Sequence, residues 1–118
     1  MNDKELLEQA AKAAGLPYIK PAEGYDGRLG ILIGENRMNT QVWNPLTDDG
    51  DALRLAVKLR LTVEQWFFGQ EALVYDFKES TMYEGLGVSV HEPYGTDPYA
   101  ATRRAIVRAA AEIGRNMK

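Results

Sequence analysis

The apolar residues of this 118-residue chain change period along its length, and the order of those changes restricts the fold. Three segments repeat apolar residues at helical spacing; between them lie two, and then three, short segments that alternate with a period of two. The first helical segment runs from Asp3 to Ala14, with Leu6, Leu7, Ala10, Ala11 and Ala14 on one face. Asn2 or Asp3 is placed to cap it, Gly15 offers a left-handed stop, and Pro17 prevents continuation. "RLGILIG" and "TQVW" read as a hairpin with "GENRMN" as its turn. A second helix spans about Asp49 to Arg60, and strands follow in "TVEQWFFG", "EALVYDFK" and "GLGVSVHE". The last helix begins at Pro98, capped by Thr96 or Asp97, and runs to about Asn116. The order α-β-β-α-β-β-β-α predicts one α+β domain over 1–118. Its sheet is expected to be mixed or mostly antiparallel, with helices on one or both faces and part of one face wet.

Composition narrows the chemistry. Hydrophobic residues make up 45% and charged residues 26%, values of a folded domain able to bury a core. The absence of cysteine excludes disulfides, cysteine zinc sites and thiol nucleophiles. The net charge of −3 gives the chain no overall phosphate-seeking field, so nucleic acid is a disfavoured partner. No apolar run is long enough to span a bilayer, and "MNDKELLEQAAKAAG" lacks the basic start and apolar run of a signal peptide. The expectation is a cytoplasmic protein without membrane contact.

"VWNPLTDDGDALRLAVKL" gathers three aspartates around one glycine. With Gly50 at the sixth position of a calcium loop, Pro45 falls first, Thr47 third and Ala56 twelfth, so essential ligands are missing. A helix start fits better. Pro45 holds Asn44 extended, Thr47 or Asp48 caps, and Asp49 and Asp51 lie where the helix dipole favours carboxylates by about 0.3–1 kcal/mol each. Ala52, Leu55, Ala56 and Leu59 form the apolar stripe behind them, widened by Leu53 and Val57. The glycines of "GYDGRLGILIG" precede and punctuate a strand, in the register of neither a Walker loop nor a dinucleotide fingerprint.

His91 is the only histidine. The default reading is an exposed strand-end residue sharing a face with Ser89, opposite Leu86, Val88 and Val90. A catalytic reading would place it in a cleft with Tyr94, Asp97 or Glu92. One histidine without cysteine argues against a transition-metal site, and no cofactor is called for.

The last helix carries the one local charge imbalance. Arg103, Arg104, Arg108, Arg115 and Lys118 meet only Asp97 and Glu112 there. Arg104, Arg108, Glu112 and Arg115 share a face, while Tyr99, Thr102, Ile106, Ala109, Ala110 and Ile113 are expected on the buried side. The bland reading is a solvated face with an Arg108–Glu112 pair. Tyr18, Tyr25, Tyr83, Tyr94 and Tyr99 lie in or beside loops and suit a binding surface. Trp43 and Trp66, on strands, are expected in the core.

"WNPLTDDGDALRLAVKL", a sheet segment and then "DPYAATRRAIVRAAAEIG" together resemble the small phage and prophage proteins grouped as the phage ABA sandwich domain. Its members show an aromatic residue, a "PSTD"-like turn and a helix ending in leucine, then an "AP.AICRAAL"-like closing helix; "NPLTDD" and "AATRRAIVRAA" fill those places from Trp43 to Gly114. The chain departs in carrying "LTDDGD" for the shorter turn and arginine where a cysteine is common. The resemblance implies an α/β/α layered accessory protein in a bacterial host cell, with no reaction to carry over.

The functional expectation is a non-enzymatic module that binds a host or phage protein through Arg104, Arg108, Arg115, Tyr94 and Tyr99. The alternatives are a small enzyme or ligand-binding domain centred on His91, and weak single-stranded nucleic-acid binding by tyrosines and arginines. A free sheet edge would allow a homodimer.

Overall fold

The structure is a computed structural model that describes residues 2–17, 30–34, 40–76 and 87–117. Along the described chain run α1 (Asp3–Ala13), β1 (Ile31–Gly34), β2 (Thr40–Trp43), α2 (Asp49–Lys58), β3 (Leu61–Trp66), β4 (Glu71–Asp76), β5 (Val88–Pro93) and α3 (Pro98–Asn116). The predicted α+β order holds. The strands divide into two antiparallel sheets, β1-β2 and β3-β4-β5, where a single sheet was expected. The Asn44–Pro45 turn ends β2, and α2 then separates the hairpin from β3. Residues 35–39 of the predicted "GENRMN" turn, the loop glycines Gly24 and Gly27, and Tyr18, Tyr25, Tyr83 and Leu86 lie outside the described residues, while Gly34 ends β1.

Each helix begins on one of the caps the sequence offered. Asn2 accepts from the Glu5 amide at 2.8 Å, Asp48 from that of Asp51 at 2.7 Å, and Asp97 from that of Tyr99 at 3.0 Å. The aspartates of "TDDGD" therefore have structural work. Asp48 caps α2, Asp49 pairs with Arg103 at 2.7 Å, and Asp51 accepts from the Asn44 amide at 3.0 Å while pairing with Arg54 at 2.8 Å.

Helix α3 is the centre of the molecule. It buries Ala101, Ala105, Ile106, Val107, Ala109, Ala110, Ala111 and Gly114, far more of its circumference than a surface helix does. One side receives β4 and β5, another α1, and a third α2. Helix α1 lies parallel to it: Asp3 meets Arg104 at 3.2 Å, and the Lys12 ammonium donates to the Met117 carbonyl at 3.1 Å. The small residues of α3 permit this close approach. A Cβ added at Gly114 would lie 1.9 Å from the Gln9 carbonyl oxygen. Gly30, at φ +108°, similarly lets β1 approach the Trp43 carbonyl, 2.3 Å from where a Cβ would sit.

Register sorts the three-stranded sheet into two faces. Val63, Val74 and Val90 stand in one row of the inner face, with Gln65, Ala72 and Glu92 in the next. This face meets α3: Gln65 donates to the Thr102 hydroxyl at 3.0 Å, and Glu92 accepts from Arg108. The outer face carries the rows Thr62–Tyr75–Ser89, Glu64–Leu73–His91 and Trp66–Glu71–Pro93. Among the described residues, the helices lie on the inner face only.

Candidate functional site

The predicted arginine face exists as a groove. Arg104, Arg108, Glu112 and Arg115 line it together with Leu6 and Val88–Val90, around a volume of about 490 Å³. Its charges are already matched. Arg104 pairs with Asp3 and reaches Glu92 at 3.9 Å, Arg108 pairs with Glu92, and Arg115 with Glu112 at 2.7 Å. The expected Arg108–Glu112 pair is replaced, because β5 presents Glu92 to Arg108 and leaves Glu112 to the arginine three residues on. Arg103 points the other way. It donates to the Leu46 carbonyl at 2.9 Å and to Asp49 at 2.7 Å, and so clamps the start of α2 to α3.

His91 is exposed on the outer sheet face. Its Nδ1 and the Glu71 carboxylate lie 3.0 Å apart, and its ring meets Trp66 edge-on at 5.5 Å. Glu92 faces the opposite side, on Arg108, and Tyr94 donates to Gln65 there. The cleft of His91 with Glu92 or Tyr94 is thus not formed, because strand alternation sends consecutive side chains to opposite faces. Asp97 is occupied as the α3 cap. Beside His91, Glu64 accepts from the Trp66 indole at 3.1 Å and from the Tyr75 hydroxyl at 3.2 Å. Desolvation on this face, and next the Glu64 carboxylate, raise the Tyr75 hydroxyl above its ordinary pKa of 10.0.

A second groove, of about 640 Å³, runs between α2, β3 and α3. Ala52, Leu53, Val63, Tyr94, Tyr99 and Ile106 give it apolar walls, and its charged pair, Asp49 and Arg103, is internally matched. The sequence-predicted residues therefore divide: Arg104, Arg108 and Arg115 line one side of α3, Tyr94 and Tyr99 the other. Tyr99 was expected to be buried and is 72% exposed, since it sits in the first turn of α3, at the rim of this groove.

The strongest exposed feature continues from the same strand. β3 ends in Trp66, and the turn beyond it carries Phe67 and Phe68, 77% and 100% exposed and packed edge-on against each other. Trp66 was expected in the core, but register sets it on the uncovered outer face. Leu53 and Val57, one turn apart on α2, are exposed as well, at 64% and 68%. Both had been assigned to the core stripe. The signal that could have separated them is angular: the apolar arc of α2 is wider than the roughly 100° stripe a surface helix buries. Likewise, three apolar residues in succession at a strand end cannot all face inward.

No helix among the described residues is long and apolar enough to cross a membrane. No protein-family model, curated protein or solved structure matches the chain.

Proposed function

We propose that this chain is a non-enzymatic binding module that recognises a protein through the α2–β3–α3 groove and the Phe67–Phe68 tip. The observation that carries the reading is that Leu53, Val63 and Tyr99 line one groove as exposed side chains, with Val57 exposed one turn on along α2 and Phe67 and Phe68 exposed directly after β3. Soluble monomers rarely show contiguous apolar patches above a few hundred Å², and larger ones mark interaction sites. Aromatic residues on such a patch are the usual energetic anchors of protein interfaces. A protein partner is favoured over a nucleic acid because Arg104, Arg108 and Arg115 are each matched by a carboxylate, and the chain is acidic overall. The resemblance to the phage ABA sandwich domain supports placing the module in a phage or prophage, with a host or phage protein as partner.

The test is affinity purification with three baits: the unaltered chain, a Phe67→Ser/Phe68→Ser variant, and an Arg104→Glu/Arg108→Glu variant. All three should give the same far-ultraviolet circular dichroism. The expected outcome is a protein partner that the phenylalanine variant loses and the arginine variant keeps. Loss confined to the arginine variant would move the site to the other side of α3, and recovery unchanged in both would refute it.

A further inference from the structure

We propose that the groove and tip are completed by a second copy of this chain, joined by antiparallel pairing of β3 with its counterpart. This rests on reading that surface as a protein-binding site. β3 is a terminal strand of its sheet. Among the described residues its backbone bonds only to β4, and its other row of N–H and C=O groups has no described backbone partner. Native sheets usually blunt such an edge with lysine, proline or a bulge. "LTVEQW" has no lysine or proline, and it pairs residue for residue with β4 without interruption. The opposite edge is blunted: β5 ends on Pro93, and its Glu92 is held by Arg104 and Arg108.

The sequence selects the register. A two-fold axis normal to a continuous sheet must pass through a residue, because residues directly opposite share a face. Centres at Val63 and Glu64 pair the longest stretches of the strand, Leu61–Gln65 and Thr62–Trp66 respectively. The Glu64 centre sets two carboxylates directly opposite, which is destabilising. The Val63 centre sets Val63 against itself, Glu64 against the second copy's Thr62, and Gln65 against its Leu61. Pairing in register ends at Leu61, because Arg60 takes a left-handed φ of 56° and Leu59 caps α2. The C-terminal end of α2, where Val57 is exposed, therefore stands at the start of the paired stretch in each copy. In an antiparallel pair the Phe67–Phe68 turn of each copy leaves the paired stretch at the end where the other copy's α2 stops.

The exposed apolar side chains set the most that such a pair can bury. At about 150–250 Å² per aromatic side chain, Trp66, Phe67 and Phe68 at 43, 77 and 100% exposure offer on the order of 450 Å². Leu53, Val57 and Val63 add on the order of 200 Å². Together with the strand backbone this approaches the ~800 Å² that one partner contributes to a standard interface.

Sedimentation equilibrium of the full chain tests the pairing. The expected mass is twice the 13.2 kDa of one chain. Val63→Lys, which opposes two ammonium groups at the axis, should weaken association at least about tenfold. Leu53→Glu should weaken it independently. Thr62→Arg, facing Glu64 across the axis, should tighten it by up to about tenfold through two new pairs. A chain that sediments at 13.2 kDa at every accessible concentration, or a dimer indifferent to Val63→Lys, overturns the proposal. If the chain is monomeric and Phe67→Ser/Phe68→Ser still abolishes recovery of a foreign protein, the second copy is refuted and the binding module stands. If that recovery is also unaffected, both fall.

Discussion

Substituting Gly114 by alanine sets two known effects against each other. In an exposed helix, Gly→Ala stabilises by about 1 kcal/mol through helix propensity. Here the new Cβ would lie 1.9 Å from the Gln9 carbonyl oxygen, 2.8 Å from its carbon and 3.3 Å from the Ala13 nitrogen. A carbon–oxygen contact settles at about 3.3 Å or more, so α1 and α3 must separate by roughly 1.4 Å. A gap of 0.5–1 Å already forfeits a quarter to a half of the attraction between packed atoms. The α1 face at stake includes Leu7, Ala10 and Ala11, all fully buried. Leu7 alone is worth about 1.5–3 kcal/mol of burial. The obstacle is backbone, so shortening Gln9 gives no relief. The expected result is a net loss of at least about 2 kcal/mol, since overpacking typically costs 1–3 kcal/mol and the interface opens as well. In thermal unfolding followed by circular dichroism, that lowers Tm on the order of 10 °C for a domain of this size. A G114A chain as stable as the parent, or more stable, would refute the close parallel packing of α1 on α3.

The two sides of α3 should also differ in urea unfolding. Arg103→Ala removes charged hydrogen bonds to Leu46 and Asp49 from a side chain only 17% exposed, and should cost about 1–2 kcal/mol. Arg115→Ala removes only its surface pair with Glu112 and should cost about 0–1 kcal/mol. Asp97→Ala deletes the α3 cap and should cost about 1 kcal/mol by the same measurement. Tyr75 titrates above 10.0, and the associated stability is present below that pH and is lost as pH rises through the raised value. An ultraviolet tyrosinate titration, with Tyr75→Phe to identify the transition, should show Glu64→Gln moving it downward.

Local patterns carried most of the fold. The stripes of α1 and α2, the strands of the three-stranded sheet and the caps Asn2, Asp48 and Asp97 are all set by neighbours within a few positions. What escaped is set by distant contacts. Gly114 is read from the sequence as one small residue in an alanine-rich helix, and only the approach of α1 gives it a role. Alternation places Trp66 on a face without saying which face a helix will cover. Glu92 replaces Glu112 as partner of Arg108 because β5 crosses α3 there. The candidate site was half legible. Tyr94 and Tyr99 line the apolar groove, but the arginines grouped with them line the other side of the helix. Leu53 and Val57 look like core until the packing of α2 is seen to leave them exposed.

The most direct measurement of the binding reading is photo-crosslinking in the cell from position 68. A photoreactive amino acid in place of Phe68, fully exposed at the tip of the β3–β4 turn, should give a discrete crosslinked product. That product is either a foreign protein or a second copy of the chain. The same amino acid in place of Arg115, on the far side of α3, should give none. Uncrosslinked chain alone from position 68, or product from position 115 only, would contradict the assignment of the recognition surface to the groove and its aromatic tip.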